Sequence, residues 1–337
     1  MKIIKSPLQT YVTQSIISNG TLGDTYTACA ENSPNKLFNI TIENKERITE
    51  QECNNQIQTE HSILVALHHQ NMINCIEIFE DELNYYIVSD YFSNTTIDKR
   101  LVELHRISEE KLQFIFQQLI DVIMYLHGNG FAYGGIRTDY ILINDRYEIM
   151  LLNFSAVQSL TLPIPRKNFI IPPPEILSEQ CQSTSLCEVF ALGTLLYMIA
   201  SRGLKPWDAI NDTELKRIYE NGMLMQPPNM PHACFALVKG MLELHPTHRY
   251  SLGQVQQNYW IQRTVKPRVQ VKTPILNKAR NRRTSMRSLI MLDDKRRNEN
   301  NPQIANQGLL NTSRPIKHRM SGLPKNCRLP HLDVMFD

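Results

Sequence analysis

The sequence predicts an α+β protein of two unequal lobes: a small strand-rich lobe with one main helix, then a larger, mainly helical lobe. Two patterns point to this. Up to Tyr91, short runs rich in β-branched and aromatic residues alternate with turn residues, interrupted once by a helical period. Beyond Tyr91, apolar residues recur at helical spacing almost throughout. A chain of 337 residues, 42% of them hydrophobic, can bury a core on that scale.

The first strand-like run covers residues 11–19 and ends at Asn19-Gly20. Runs at 25–30 and 37–42 follow, the second after a Ser33-Pro34-Asn35 turn. Over residues 49–67 the period changes, and Ile57, Ile63, Leu64 and Leu67 fall on one helical face. Residues 76–79 and 85–89 again read as strands. In the second lobe, 112–126 is a long amphipathic helix, and 189–200 is apolar nearly all round, as a helix buried in a large lobe should be. The expected organisation is an extension at 1–10, a folded body at 11–261 (lobes 11–91 and 92–261) and a tail at 262–337. The tail is polar and basic without periodicity, so disorder is expected there. No internal repeat is visible.

The net charge of +3 hides a division. From Gln262 onward there are 17 Lys/Arg against 5 Asp/Glu, a net of +12, which leaves the first 261 residues at −9. No stretch approaches the 18 or so apolar residues of a membrane span. The opening MKIIKSPLQT lacks the apolar core of a secretory signal. The seven cysteines are scattered and form no CxxC pair, which argues against disulfide or metal frameworks and for a reducing interior. A cytoplasmic location, or a nuclear one, is expected.

Several stretches carry chemical information. Ser18-Asn19-Gly20-Thr21-Leu22-Gly23-Asp24-Thr25 is a glycine-containing turn between strands, a pattern that also makes an ordinary hairpin. Phe38-Asn39-Ile40-Thr41 lies on the following strand, Glu60 on the helix, and His69-Gln70-Asn71-Met72-Ile73 after it. Tyr133-Gly134-Gly135-Ile136-Arg137-Thr138-Asp139-Tyr140 and Asn153-Phe154-Ser155 follow, then Pro173-Pro174-Glu175, Glu188-Val189-Phe190-Ala191-Leu192-Gly193, Gly203-Leu204-Lys205-Pro206-Trp207 and Arg249. In this order and at these distances they resemble the subdomains of the protein kinase superfamily, over about residues 11–261. The spacing is nearest to the calcium/calmodulin-dependent and related serine/threonine groups.

The resemblance implies a role for each position. Gly20 and Gly23 fall in the phosphate-covering loop, where the first glycine is Ser18 and the adenine-covering valine is Thr25. Thr41 stands where the family has the lysine that holds the phosphates and pairs with the helix glutamate, here Glu60. Without that lysine, Glu60 reads equally as a solvated helix charge. Lys45, four strand residues on and about 13 Å away, is too distant to substitute. Gly135 replaces the catalytic aspartate, Tyr140 the metal-binding asparagine and Asn153 the metal-binding aspartate. Arg137 keeps a positive charge near the phosphates. The structural positions persist: Phe154, Glu175 with its arginine partner Arg249, and Glu188. His61, His68 and His69 match surface and turn positions, so no metal site is expected.

Losing the general base alone costs on the order of 10²–10⁴ in rate, and here the lysine and both metal ligands are replaced as well. The expectation is therefore a pseudokinase, a scaffold or allosteric regulator with no cofactor, whose partner is a protein, an active kinase being one option. Two alternatives stand beside it: an atypical kinase with weak ATP-dependent activity through Arg137 and Asp139, and a module that senses nucleotide without Mg²⁺. The proline-rich segment 153–175 reads as a fixed surface loop, since Gly134 has replaced the arginine that would receive a phosphate there. In the tail, Arg282-Arg283-Thr284-Ser285 resembles a site for basophilic kinases, with Thr284 and Ser285 as acceptors. Nucleic acid or anionic membrane are further readings of the basic tail, and no aromatic interleaving favours the former.

Overall fold

The computed structural model describes residues 1–20, 22–103, 107–181, 183–221 and 223–262. The tail, apart from Gln262 but with Thr284 and Ser285 included, lies outside the described residues.

The first lobe is a six-stranded antiparallel sheet in the order β1-β2-β3-β4-β6-β5. Its strands are β1 Ile3–Lys5, β2 Thr10–Asn19, β3 Gly23–Ala30, β4 Ser33–Asn44, β5 Cys75–Glu80 and β6 Asn84–Asp90. The sheet starts before residue 11, because β1 pairs with β2 and sets Ile4 opposite Tyr11. The turn expected at Ser33-Pro34-Asn35 sits two residues earlier: Ala30 pairs with Ser33, so Glu31 and Asn32 make the connection. The alternation of β4 divides the lobe into two faces. Phe38, Ile40 and Ile42 pack with Tyr11, Ala28 and Val88, while Asn39, Thr41 and Glu43 look the other way.

The helical period at 49–67 resolves into two helices, α1 Lys45–Glu50 and α2 Asn54–Ala66. Asn44 caps α1, its side chain accepting from the Arg47 amide. The chain then reverses at Glu52, which has φ +54°. Ile48 and Ile57 share a satellite core with Leu22 and Cys53, so the break lets both helices bury an apolar residue. Lys45, at the start of α1, donates to Glu80 at 2.7 Å and takes no part in the cleft.

The second lobe contains α3 Ile97–Glu103, α4 Glu109–Gly128, the short strands β7 Phe131–Ala132, β8 Ile141–Ile143, β9 Ile149–Leu151 and β10 Gln158–Ser159, then α5 Pro174–Leu177, α6 Thr184–Ala200, α7 Asp212–Asn221, α8 His232–Met241, α9 Leu252–Gln256 and α10 Tyr259–Gln262. Helices α4 and α6 form its centre, with Ile115, Phe116, Ile123, Phe190 and Leu195 inaccessible to solvent. None of the helices among the described residues is long and apolar enough to cross a membrane. Asn71, after α2, joins the lobes: its Nδ2 donates to Ile149 O and Gln118 Oε1, and its carbonyl accepts from the Leu151 amide at 2.8 Å.

Glu175 and Arg249, only 6% and 4% exposed, form a bidentate pair, Nη1 to Oε1 at 2.5 Å and Nη2 to Oε2 at 3.0 Å. Arg249 also donates to Glu243 O and Leu186 O and lies over the Phe190 ring. Glu175→Ala would strand a buried guanidinium and should lower the unfolding free energy by about 3–5 kcal/mol in urea titration. A loss below about 1 kcal/mol would show that the pair contributes little.

Candidate functional site

The cleft between the lobes is lined by Ser18, Thr25, Thr41 and Glu43 from the sheet, Glu60 from α2, and Tyr140, Asn153 and Ser155 from below. The space they enclose is about 20 Å³, room for a water molecule.

Beneath the sheet, one pair of hydroxyls bonds across the strands. Thr41 Oγ1 and Thr25 Oγ1, neighbours across β3 and β4, lie 2.9 Å apart. Asn39 is 1% exposed, and neither its amide nitrogen nor its oxygen has a protein partner. The glycine loop is drawn onto the second lobe: Ser18 Oγ donates to Asp139 O at 3.3 Å, and Lys99 Nζ donates to Ile17 O at 2.5 Å. Gly23 is required by the hairpin itself, since a Cβ there would stand 2.1 Å from Ile42 O.

On the floor, Arg137 donates from Nε and Nη2 to the two oxygens of Asp139, at 2.9 and 3.1 Å, and lies over the Tyr140 ring. It is committed within the chain and turned away from service to a phosphate. Asn153 Oδ1 accepts from both the amide and the hydroxyl of Ser155. Gly134 has φ +74°, and a Cβ on it would come within 2.3 Å of Ala156 O; a Cβ on Gly135 would meet Ala156 Cβ at 2.9 Å. Behind them Tyr133 is fully buried and meets Phe154 edge to face. Glu188 accepts from the Gly134 amide at 2.8 Å and from His127 Nε2, and so fixes the loop's backbone.

Glu60 is not solvated, contrary to one reading of its lost partner. It is buried, and Oε1 accepts from the Phe154 amide at 2.9 Å. Its other oxygen has no donor from a fixed protein N–H or O–H and faces Glu43, which also meets His61 Nε2 at 3.0 Å. Burial pushes the Glu43 carboxyl up to about 7. Burial, and then the neighbouring Glu43 charge, hold Glu60 well above the usual carboxylate range. Two adjacent buried carboxyls each disfavour the other's ionised form. His61 is held below the ordinary imidazole value by burial. Among the described residues no three His, Cys, Asp or Glu side chains form a metal-binding group.

Residues 11–261 match the protein kinase domain. The chain belongs to the protein kinase family. NUAK family SNF1-like kinase 1 of Homo sapiens is 24% identical to this kinase domain over 255 residues, 74% of this chain and 38% of that protein. NUAK family SNF1-like kinase 2 of Pongo abelii is 25% identical over 236 residues, 69% and 37% of the two chains. The probable serine/threonine-protein kinase MARK-A of Dictyostelium discoideum is 22% identical over 258 residues, 75% and 24%. The chain thus spans well under half the length of these relatives.

Thr41, Glu60, Tyr140 and Asn153 all line this one cleft, with Gly20 and Gly23 above them. Gly135 and Arg137 lie in the loop that leads to Tyr140. Sequence reasoning missed Glu43, Lys99 and Ala156, and it set His61 at a surface or turn position where the structure holds it largely buried against Glu43. For Glu43 a signal existed, since strand alternation sets it on the face of Asn39 and Thr41. Nothing in the sequence pairs Lys99 with Ile17.

The raised carboxyls make stability depend on pH. A carboxyl raised from 4.5 to about 7 in the folded chain binds a proton that the unfolded chain releases between those values. Stability therefore falls as pH rises through about 4.5–7. Glu43→Gln should remove most of this slope and add about 1–3 kcal/mol near pH 8, read by urea denaturation near pH 5 and near pH 8. A slope equal to that of the unsubstituted protein would place its source elsewhere.

Proposed function

We propose that this kinase domain transfers no phosphate and works as a binding module, a pseudokinase whose partner is a protein, with an active kinase the favoured class. The observation that carries this reading is that the polar groups of the cleft are engaged with each other: Ser18 with Asp139, Thr25 with Thr41, Arg137 with Asp139, Asn153 with Ser155. Phosphoryl transfer rests on positioning and on neutralising phosphate charge. Thr41 brings no charge. Asn153 offers a neutral amide whose oxygen already accepts twice, and hard divalent cations prefer anionic oxygen. The carboxyls nearby, Glu43 and Glu60, are buried and turned toward each other. These residues do not fit Mg²⁺-bound ATP.

A protein partner is supported by the surface around α7. Ile210, just before it, is 93% exposed, and Met223, just after it, 80%. Large apolar side chains left in water mark contact surfaces where they gather. The relatives carry the names of kinases, one of them a probable serine/threonine-protein kinase, and an active kinase is the partner class proposed.

Purified protein should incorporate no label from γ-labelled ATP into itself or into generic substrates. Its melting temperature should be unchanged by ATP, with or without Mg²⁺. Labelling that is lost on substituting Arg137 or Asp139 would overturn the reading. So would a melting shift that requires Mg²⁺.

Restoring T41K, G135D, Y140N and N153D together should still give no activity. The new aspartate at 135 meets Ala156 Cβ, and Asn39 keeps an unpaired amide where adenine would lie, a cost of roughly 1–3 kcal/mol. Strong activity from the fourfold variant would refute this account of the cleft.

A further inference from the structure

The six described cysteines, all outside the cleft, include one close pair. Cys181 lies in the loop between α5 and α6, half-buried, and Cys187 is wholly buried in the first turn of α6. Their sulfurs are 3.2 Å apart. The chain is folded to bring them there. Glu179 takes a φ of +58°, the Gln180 amide donates back to Glu175 O, and Ser183 caps α6 by accepting from the Leu186 amide. The thiols of Cys29, Cys53 and Cys75 point instead at backbone carbonyls, those of Val12, Gln51 and Glu77.

We propose that Cys181 and Cys187 are a reversible oxidation site, converted by a hydroperoxide to a disulfide that ties the loop between α5 and α6 to the first turn of α6. The half-buried Cys181 sulfur is the one a peroxide reaches. As the thiolate it attacks one peroxide oxygen; the O–O bond breaks, Cys181 becomes the sulfenic acid, and water or an alcohol leaves with the thiol's proton. The Cys187 sulfur then attacks the Cys181 sulfur. The S–OH bond breaks, and hydroxide departs as water with the proton of Cys187. The two thiols lose two electrons and two protons, and the peroxide is reduced by the same count. A disulfide is about 2.05 Å long, so the sulfurs need to close by about 1 Å, within the reach of a loop side chain.

The order of attack follows from surroundings. Burial, then the neighbouring Glu175 charge, push the Cys187 thiol far up, which makes it a poor first nucleophile and leaves it protonated until a partner arrives. Its S–H points at Glu175 Oε1, 3.4 Å away, so the proton has an acceptor when Cys187 attacks. Glu175 keeps both bonds to Arg249 in either state, so oxidation need not disturb the buried pair.

The test uses the full chain, reduced and then exposed to graded hydrogen peroxide, alkylated and digested with trypsin. Residues 168–202 contain no Lys or Arg except the terminal Arg202, and no cysteines other than these two. The disulfide therefore registers as loss of two hydrogens' mass from one peptide, with neither thiol alkylated. Expected is formation at a peroxide level that leaves Cys29, Cys53, Cys75 and Cys234 alkylatable, and full reversal by dithiothreitol. C187A should carry Cys181 on to the sulfinic acid, and C181S should leave Cys187 alkylatable. Over-oxidation of Cys181 in the unsubstituted protein with Cys187 still alkylatable would overturn the proposal, as would a pair no more reactive than the other four.

Discussion

A carboxylate withdrawn from water must find donors, because desolvation of the bare charge costs several kcal/mol, and two such groups converge on the first turn of α6. Glu175 takes the fork of Arg249 and the thiol of Cys187. Glu188, next in sequence to Cys187, takes the amide of Gly134 and the imidazole of His127. Arg249 in turn donates to Leu186 O. Three consecutive residues thereby hold the end of the proline-rich segment 153–175, the connection between α8 and α9, the loop carrying Gly135, and the end of α4. None of these bonds involves a residue that lines the cleft. A chain under this constraint keeps Glu175, Glu188 and Arg249 whatever becomes of its chemistry, which is why family membership stays recognisable at about a quarter identity or less.

The same constraint acts differently in the cleft. Glu60 is buried as firmly as Glu175, but the strand opposite offers Thr41 in place of a cation. The charge is relieved in part by the Phe154 amide, which donates to one oxygen, while burial and the neighbouring Glu43 favour the neutral form of the carboxyl. That bond ties α2 to the segment that follows β9. Helix and segment are thus joined through a backbone amide.

The fold was legible where it rests on periodicity and on bonds between conserved types of group. Alternation gave the strands of the first lobe, helical spacing gave the centres of α4 and α6, and the motif series paired Glu175 with Arg249. Legibility failed where a single local interaction decides. The split between α1 and α2 depends on the Asn44 cap and on the reversal at Glu52, neither of which alters the apolar period of 49–67. β1 is three residues long and has its partners across a turn. In the site, the residues at the motif positions were legible one by one, but what they bond to was not. Contacts such as Lys99 to Ile17 or Ser18 to Asp139 join positions 82 and 121 residues apart and follow from the closeness of the lobes, which no local pattern encodes.

Those long-range contacts also bear on what a closed cleft is good for. A hinge between two lobes that opens and shuts leaves a binding surface in several shapes, and a partner must meet the cost of selecting one. Here the glycine loop is tied to the loop below it by Ser18 and Lys99, α2 is tied to the Phe154 segment by Glu60, and Asn71 joins the lobes at the back. Of these groups, Ser18 and Glu60 line the cleft itself. Gly134 and Gly135 complete the commitment, because Ala156 fills the space into which their side chains would grow. Ties at the front, the middle and the back hold the lobes in one relation. On the proposed reading, that single preorganised shape is what a protein partner recognises, and giving up the nucleotide is what makes it attainable.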